Sequence, residues 1–303
     1  MEVSVNEVGY VVSPEERRRL LEANKAAAQF FRRELLRSRG TWPESYLAAR
    51  GLRHVLTVES DWKVGYAPDT WSSLTDHLRA QGFDNGTLVR AGLVEWTAQG
   101  DAVDRHRDRL MIVARDYRLS PVGFIGIAPD GRAQAATPAN TVHRPTNVLI
   151  GIEEQRDLLR QGAVPVIVEH PMDAVAVTWL SREMGGQWAG IPTCGEPLST
   201  AQARILRRHT PGDKVIVALS GDLPARRQAA GYVADLAMFF DRVRAIDVPA
   251  GAAVETMQDD GARQLHDLLA NARPLMTYKI SGRRYGGLLQ PDPDPPGSVP
   301  ELG

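Results

Sequence analysis

From Val164 onward the chain alternates short apolar runs with amphipathic stretches, and that rhythm restricts the possible folds more than any other feature. Residues 164–168, 188–191, 215–219 and 243–248 read as strands, and residues 172–184, 200–209 and 224–240 as the helices between them. Strands joined through helices form a parallel sheet with right-handed crossovers. In that sheet, Pro165-Val166-Ile167-Val168 ends in Glu169, and a turn leads into a helix carrying Asp173. The run Val215-Ile216-Val217-Ala218-Leu219 ends in Ser220-Gly221-Asp222 and is also followed by a helix. Open α/β sheets bind ligands beyond the carboxyl ends of their strands. If these two strands are neighbours, Glu169, Asp173 and Asp222 converge on one crevice.

The N-terminal half has a different texture. Residues 1–14 read as a leader in which Ser13 caps a helix, with Pro14 at its first position and Glu15 and Glu16 in its first turn. The helix runs to about Ser38 and gathers Leu20, Leu21, Ala27, Phe30, Phe31 and Leu35 on one stripe. Its other face is rich in arginine, either as a phosphate-binding face or, more simply, as a solvated face partly neutralised by Glu22 and Glu34. Short helices are expected at 43–50, 72–81 and 88–91, with Asn85-Gly86 as a turn. Trp42, Tyr46, Trp62 and Trp71 read as packing anchors rather than stacking platforms for bases. Asp104-Arg105-His106-Arg107-Asp108-Arg109 is a charged approach to a strand at 110–114, and Pro121–Ile127 is a second strand. Residues 128–147 read as an irregular loop and residues 153–161 as a helix. Ser199-Thr200-Ala201-Gln202 has capping-box spacing, which accounts for its hydroxyls without catalysis.

Composition narrows the function classes. A net charge of -1 excludes a uniformly basic nucleic-acid binder while leaving room for a local basic face. The one cysteine, Cys194, excludes an intramolecular disulfide and any multi-cysteine zinc site. No apolar run approaches the roughly 18 residues that span a bilayer, and the N-terminus shows no signal pattern, so a cytoplasmic chain with no membrane partner is expected.

The order of these segments resembles the core of bacterial DnaG-type primases with their Toprim domain, closest to primase-like modules of actinobacterial mobile elements. The resemblance covers about residues 15–270. It is carried by Leu21–Phe31, Val64-Gly65-Tyr66-Ala67-Pro68, Asp104–Met111, Gly123-Phe124-Ile125-Gly126, Val168-Glu169-His170-Pro171-Met172-Asp173 and Ser220-Gly221-Asp222. It implies an α/β fold: a primase-type N-terminal lobe over 15–161, a Toprim-like parallel sheet flanked by helices over 162–250, a helical segment over 251–280 and a disordered tail over 281–303. It also implies that Glu169, the catalytic glutamate, holds Mg²⁺ or Mn²⁺ with Asp173 and Asp222 for nucleotidyl transfer. Two-metal sites of this kind stabilise the attacking and leaving oxygens. Arg105, Arg107 and Arg109 would contact template or nucleotide phosphate. Their alternative is local ion pairing, as of Arg107 and Arg109 with Asp104 and Asp108.

Several positions depart from the family pattern. Ser220 replaces the first aspartate of Asp-x-Asp, which weakens the metal site by one charge. His170 replaces a glycine, Ile127 an arginine, and Ala136 and Pro145 stand where an asparagine and a lysine would reach the nucleotide. Gly251-Ala252-Ala253-Val254 lacks the last aspartate, and Pro224 and Ala225 follow Asp222 in place of an alanine and a glycine. Losing charge of both signs from one crevice points to a catalytically impaired nucleic-acid-binding or accessory factor of DNA replication or transfer. Its partners would be single-stranded DNA, a primer-template, or a replication or conjugation protein. The alternatives are an active metal-dependent primase making RNA primers, and a protein-interaction scaffold. Two minor readings are a Mn²⁺ or Zn²⁺ site that includes His170, and a nucleophilic Cys194 near His209 or His170.

Overall fold

A computed structural model describes residues 12–131, 133–135, 137–185, 187–196, 198–219, 233–248 and 260–274. Ser13 caps α1 (Pro14–Arg37) by accepting the Glu16 N–H at 3.1 Å, as its sequence predicts. The apolar stripe of α1 lies on an antiparallel sheet ordered β1 (Gly65–Ala67), β4 (Arg109–Arg115), β5 (Pro121–Ile127) and β6 (Ala133–Ala135), with β7 (Leu149–Ile150) also paired to β4. Phe31 meets Phe124 edge-on at 5.2 Å. A Cβ on Gly65 would stand 2.5 Å from the Cβ of Phe31, so only glycine allows helix and strand to approach this closely.

Around this layer sit α2 (Trp42–Ala49), α3 (Ser73–Ala80), α4 (Asn85–Arg90) and a hairpin of β2 (Val94–Trp96) and β3 (Ala102–Asp104). Two expectations are corrected here. Asn85-Gly86 opens α4 instead of forming a turn, because the Asp84 carboxylate caps the helix through the Thr87 N–H and hydroxyl. The β2–β3 hairpin has no counterpart in the sequence reading, since three-residue strands are too short to show a period of two. The expected loop at 128–147 contains β6 and a single 3-10 turn at Pro145–Asn147, and the helix expected at 153–161 shortens to α5 (Arg156–Arg160).

The second sheet has the order β12-β11-β10-β8-β9, formed by β8 (Val164–Val168), β9 (Trp188–Pro192), β10 (Lys214–Leu219), β11 (Arg242–Asp247) and β12 (Arg273–Pro274). The first four are mutually parallel, and β12 runs antiparallel to β11. The crossovers include α6 (Pro171–Glu183) and α7 (Thr200–His209), and Ser199 and Gln202 form the expected capping box. Of the helix expected at 224–240, residues 233–237 are helical and 224–232 lie outside the described residues. The helix expected at 255–273 is seen over Asp260–Ala270, and Arg273–Pro274 leave it to join the sheet edge. The tail at 281–303 lies outside the described residues.

The two sheets share one hydrophobic cluster and are tied by polar contacts. The Trp62 indole N–H donates to Thr178 Oγ1 at 3.0 Å, and Thr178 lies 2.6 Å from Gln155 Oε1. The Gln155 amide in turn donates to the Gly190 carbonyl. All four residues are buried, so the network is shielded from competing water. No helix among the described residues is long and apolar enough to cross a membrane.

Candidate nucleic-acid and metal site

The site begins at the carboxyl ends of the parallel strands. Pairing of β10 with β8 makes the two carboxylate-bearing strands neighbours, the condition for the predicted crevice. Glu169 follows β8 and is exposed; its carbonyl accepts the Cys194 N–H at 2.8 Å, which anchors the turn. Asp173 lies in the first turn of α6 and is buried. Asp222 and Ser220 lie outside the described residues, so no geometry links them to Glu169 and Asp173. Glu169 and Asp173 supply hard oxygen donors suited to Mg²⁺ or Mn²⁺. Among the described residues no three His, Cys, Asp or Glu side chains are grouped to hold an ion. The visible donor set therefore fits a divalent cation in kind but is one ligand or more short.

The sequence reading overlooked Asp247. It pairs with Leu219 at the last rung of β11, so it lies on the same carboxyl edge as Glu169. The signal is legible, an acidic residue closing an apolar parallel strand, but the strand expected at 243–248 runs one residue past it.

His170 caps α6 in place of the family glycine. Its Nδ1 accepts the Met172 N–H at 3.1 Å, and its Nε2 lies 2.8 Å from the Gly131 carbonyl. These contacts define a neutral ring protonated on Nε2, with both nitrogens committed. The metal site including His170 is thereby corrected: neither nitrogen has a lone pair to give. Cys194 is corrected too. Burial pushes its thiol up to about 12, the opposite of what a nucleophile needs.

In the N-terminal lobe, residues 104–109 acquire a clear local logic. The buried Asp104 carboxylate accepts from the Leu74 and Thr75 N–H groups at 2.9 and 2.8 Å and from the Thr75 hydroxyl at 2.6 Å, holding the start of α3. Asp108, at a left-handed φ of 49°, accepts from the Tyr66 hydroxyl at 2.9 Å and from the Trp42 indole. Burial and the Asp108 contact push the Tyr66 phenol up to about 12. Both aspartates are thus taken by neutral donors, and the alternative in which they pair with Arg107 and Arg109 is set aside.

The three arginines then separate. Arg105 pairs with Glu95 across the β2–β3 hairpin at 3.3 Å. The Arg107 guanidinium lies over the Trp71 ring, 4.3 Å from its centroid. Trp71 is 65% exposed, so it is no packing anchor; it stands in the loop before α3, where no core is available to cover it. Trp62 and Tyr46, by contrast, are buried as predicted. The Arg109 side chain crosses Gly126, whose absent Cβ would sit 2.7 Å from its Cδ, and its Nη1 is buried without a partner among the described residues. Between them His106 is buried and pushed down to about 3, first by desolvation and then by Arg105 and Arg109. The β4 end bearing Arg109 and the Gly131 turn after β5 lie at one end of the antiparallel sheet. The His170–Gly131 contact brings that end to the turn that carries Glu169.

The basic face of α1 is mostly a solvated one. Arg18 and Arg19 lie within 3.9 Å of Glu22, and Arg37 pairs with Glu34 at 3.2 Å. Arg32 is structural, donating to the Val55 and Val64 carbonyls at 2.9 Å each.

Residues 30–156 match the family model for the DNA primase catalytic core, N-terminal domain. The chain is 32% identical to a DNA primase of Streptomyces coelicolor over 238 residues, covering 75% of this chain and 34% of that protein. It is 29% identical to a DNA primase of Synechococcus elongatus over 273 residues, covering 87% of this chain and 38% of that protein. The chain thus spans well under half the length of these curated relatives. Among solved structures, the RNA polymerase domain of Mycobacterium tuberculosis primase DnaG aligns with a TM-score of 0.71 at 26% identity, covering 92% of this chain and 95% of that one. The same domain in complex with double-stranded DNA aligns with a TM-score of 0.71 at 28% identity, covering 88% and 84%. With its α/β architecture and this near-complete overlap, the chain belongs to the bacterial DnaG-type primase catalytic cores.

Proposed function

We propose that the cleft between the two sheets holds single-stranded nucleic acid, and that nucleotidyl transfer there is attenuated, making the chain a primase-type accessory factor in DNA replication or transfer. In this reading residues 15–161 form the primase lobe and 162–250 a Toprim-like unit. The observation that carries the binding half is the Arg107 guanidinium stacked on the exposed Trp71 ring. An exposed aromatic face next to guanidinium groups takes bases by stacking and phosphates by charge. A relative's complex with double-stranded DNA supports a nucleic-acid partner.

Attenuation rests on the donor set. Glu169 and Asp173, with Asp222 as third ligand, would hold Mg²⁺ or Mn²⁺, which supplies charge neutralisation of the transferring phosphate. Ser220 offers an uncharged hydroxyl where the resemblance places an aspartate, so affinity for the ion falls. The test is primer synthesis on single-stranded template with Mg²⁺ or Mn²⁺, alongside binding of labelled oligothymidylate. Binding that weakens in the Arg107→Ala, Arg109→Ala double variant, with negligible synthesis, supports the proposal. Synthesis abolished by Glu169→Gln establishes the active primase and sinks the attenuated reading. No binding even at low salt leaves the protein scaffold.

A further inference from the structure

A second basic and aromatic surface lies at the opposite end of β4 from Arg109. The β4–β5 turn presents Tyr117 and Arg118, both exposed, with Tyr117 40% accessible. Beside it the C-terminal turn of α7 brings Arg207, Arg208 and His209. The Arg118 and Arg208 guanidinium groups lie 5.2 and 5.7 Å from the Tyr117 ring centroid. His209 is held against the Tyr117 main chain, and its pKa is lowered first by burial and then by Arg208 and Arg160, so four basic side chains from three elements share one small area. Arg208 is exposed and makes no carboxylate ion pair among the described residues. Arg160 has one loose contact, 4.0 Å from Asp157. Asp116, the nearest acid in the turn, is taken by Arg17 at 3.1 Å and by the N–H groups of Arg118 and Ser120.

We propose that this surface is a second contact for single-stranded nucleic acid, in which Tyr117 stacks a base and Arg118, Arg160 and Arg208 take flanking phosphates. The inference rests on the nucleic-acid reading above and extends it. Fixed ends of one strand separate the two contacts. Eight residues from Arg109 to Tyr117, at roughly 3.3 Å each, put them about 25 Å apart. Only an oligonucleotide long enough to bridge that span engages both. A ring combined with guanidinium groups favours nucleic acid over an acidic protein, since stacking needs a π-face that a carboxylate lacks.

The experiment compares oligothymidylates of about 4 nucleotides, which at roughly 3.4 Å per nucleotide fall short of the span, and about 24 nucleotides, beyond a typical single-site length. Binding to the full chain is measured over a series of salt concentrations. Tyr117→Ala is expected to weaken the long oligomer about tenfold, one stacked base, and to leave the short one unchanged. Arg118→Ala with Arg208→Ala should flatten the long oligomer's log–log salt slope by about 1.4, or 0.7 per lost phosphate contact. Tyr117→Phe, which keeps the ring, should bind like the parent. Equal effects on both lengths, or none on either, overturn the second contact while the first reading stands if Arg107→Ala with Arg109→Ala still weakens both. A Tyr117→Ala variant that binds oligothymidylate normally but loses polyglutamate would assign the surface to an acidic protein and overturn the proposal. Failure of the parent to bind either oligomer overturns both readings. Because Tyr117 and Arg208 are exposed, unchanged thermal melting separates these outcomes from misfolding.

Discussion

The Nε2 of His170 lies 2.8 Å from the carbonyl oxygen of Gly131, joining the turn after β8 to the turn after β5. One side chain therefore caps α6 and ties the turn after β8 to the turn after β5. Replacing it with alanine removes both hydrogen bonds and leaves the Met172 N–H without its cap. A loss of about 1–3 kcal/mol in urea unfolding is expected, the usual cost of a helix cap plus one further hydrogen bond. His170→Asn, which can still cap, should recover part of it. Equal stability of parent and alanine variant would show that the contact is not formed in solution.

His106 makes stability pH-dependent. Its folded-state value, pushed down to about 3, lies below the ordinary 6.5 of an unfolded chain, so the folded protein stays neutral there while the unfolded chain takes up a proton. The contribution is fully present above about pH 6.5 and is lost as pH falls toward 3, at about 1.4 kcal/mol per pH unit. Urea unfolding at pH 7 and pH 5 should therefore differ by about 2 kcal/mol more in the parent than in His106→Gln. Parallel pH dependence in the two proteins would refute a neutral buried ring.

Cys194 sits at a φ of 58° with its thiol pushed up to about 12 by burial. Iodoacetamide at pH 8 should leave it unmodified in the native protein and alkylate it in urea, read by intact mass. Rapid native alkylation would restore the nucleophile that the structure sets aside.

Gly190 lies under α6, where a Cβ would stand 2.5 Å from Ala174 Cα. That neighbour is backbone and cannot rotate away, so Gly190→Ala must push α6 off β9. A loss of about 1–3 kcal/mol is expected, checked by thermal melting against Gly212→Ala, where nothing lies within 4 Å.

Trp71 reports on the proposed nucleic-acid surface. Its exposed indole should be quenched when oligothymidylate binds, and Trp71→Phe should remove most of that signal while keeping affinity within about threefold, since a smaller ring still stacks. Trp62, buried and bonded to Thr178, should contribute no change.

What the chain's own order of residues settled was the framework. Apolar runs at 164–168 and 215–219 read as buried strands, the amphipathic stretches at 172–184 and 200–209 as helices, and Ser13 and Ser199 cap the helices that follow them because capping is local. Glu169 at a strand end and Asp173 one turn later were legible for the same reason. Local pattern could not say which partners the charges of residues 104–109 would find. That depended on the N-terminus of α3 coming to Asp104 and on Tyr66 and Trp42 coming to Asp108, contacts spanning 29 to 66 residues. Nor could it show that His170 would cap a helix and reach Gly131, or that Trp71 would be left in solvent beneath Arg107. A side chain's partners are set by which elements pack together, and only the tertiary structure brings those elements within hydrogen-bonding distance.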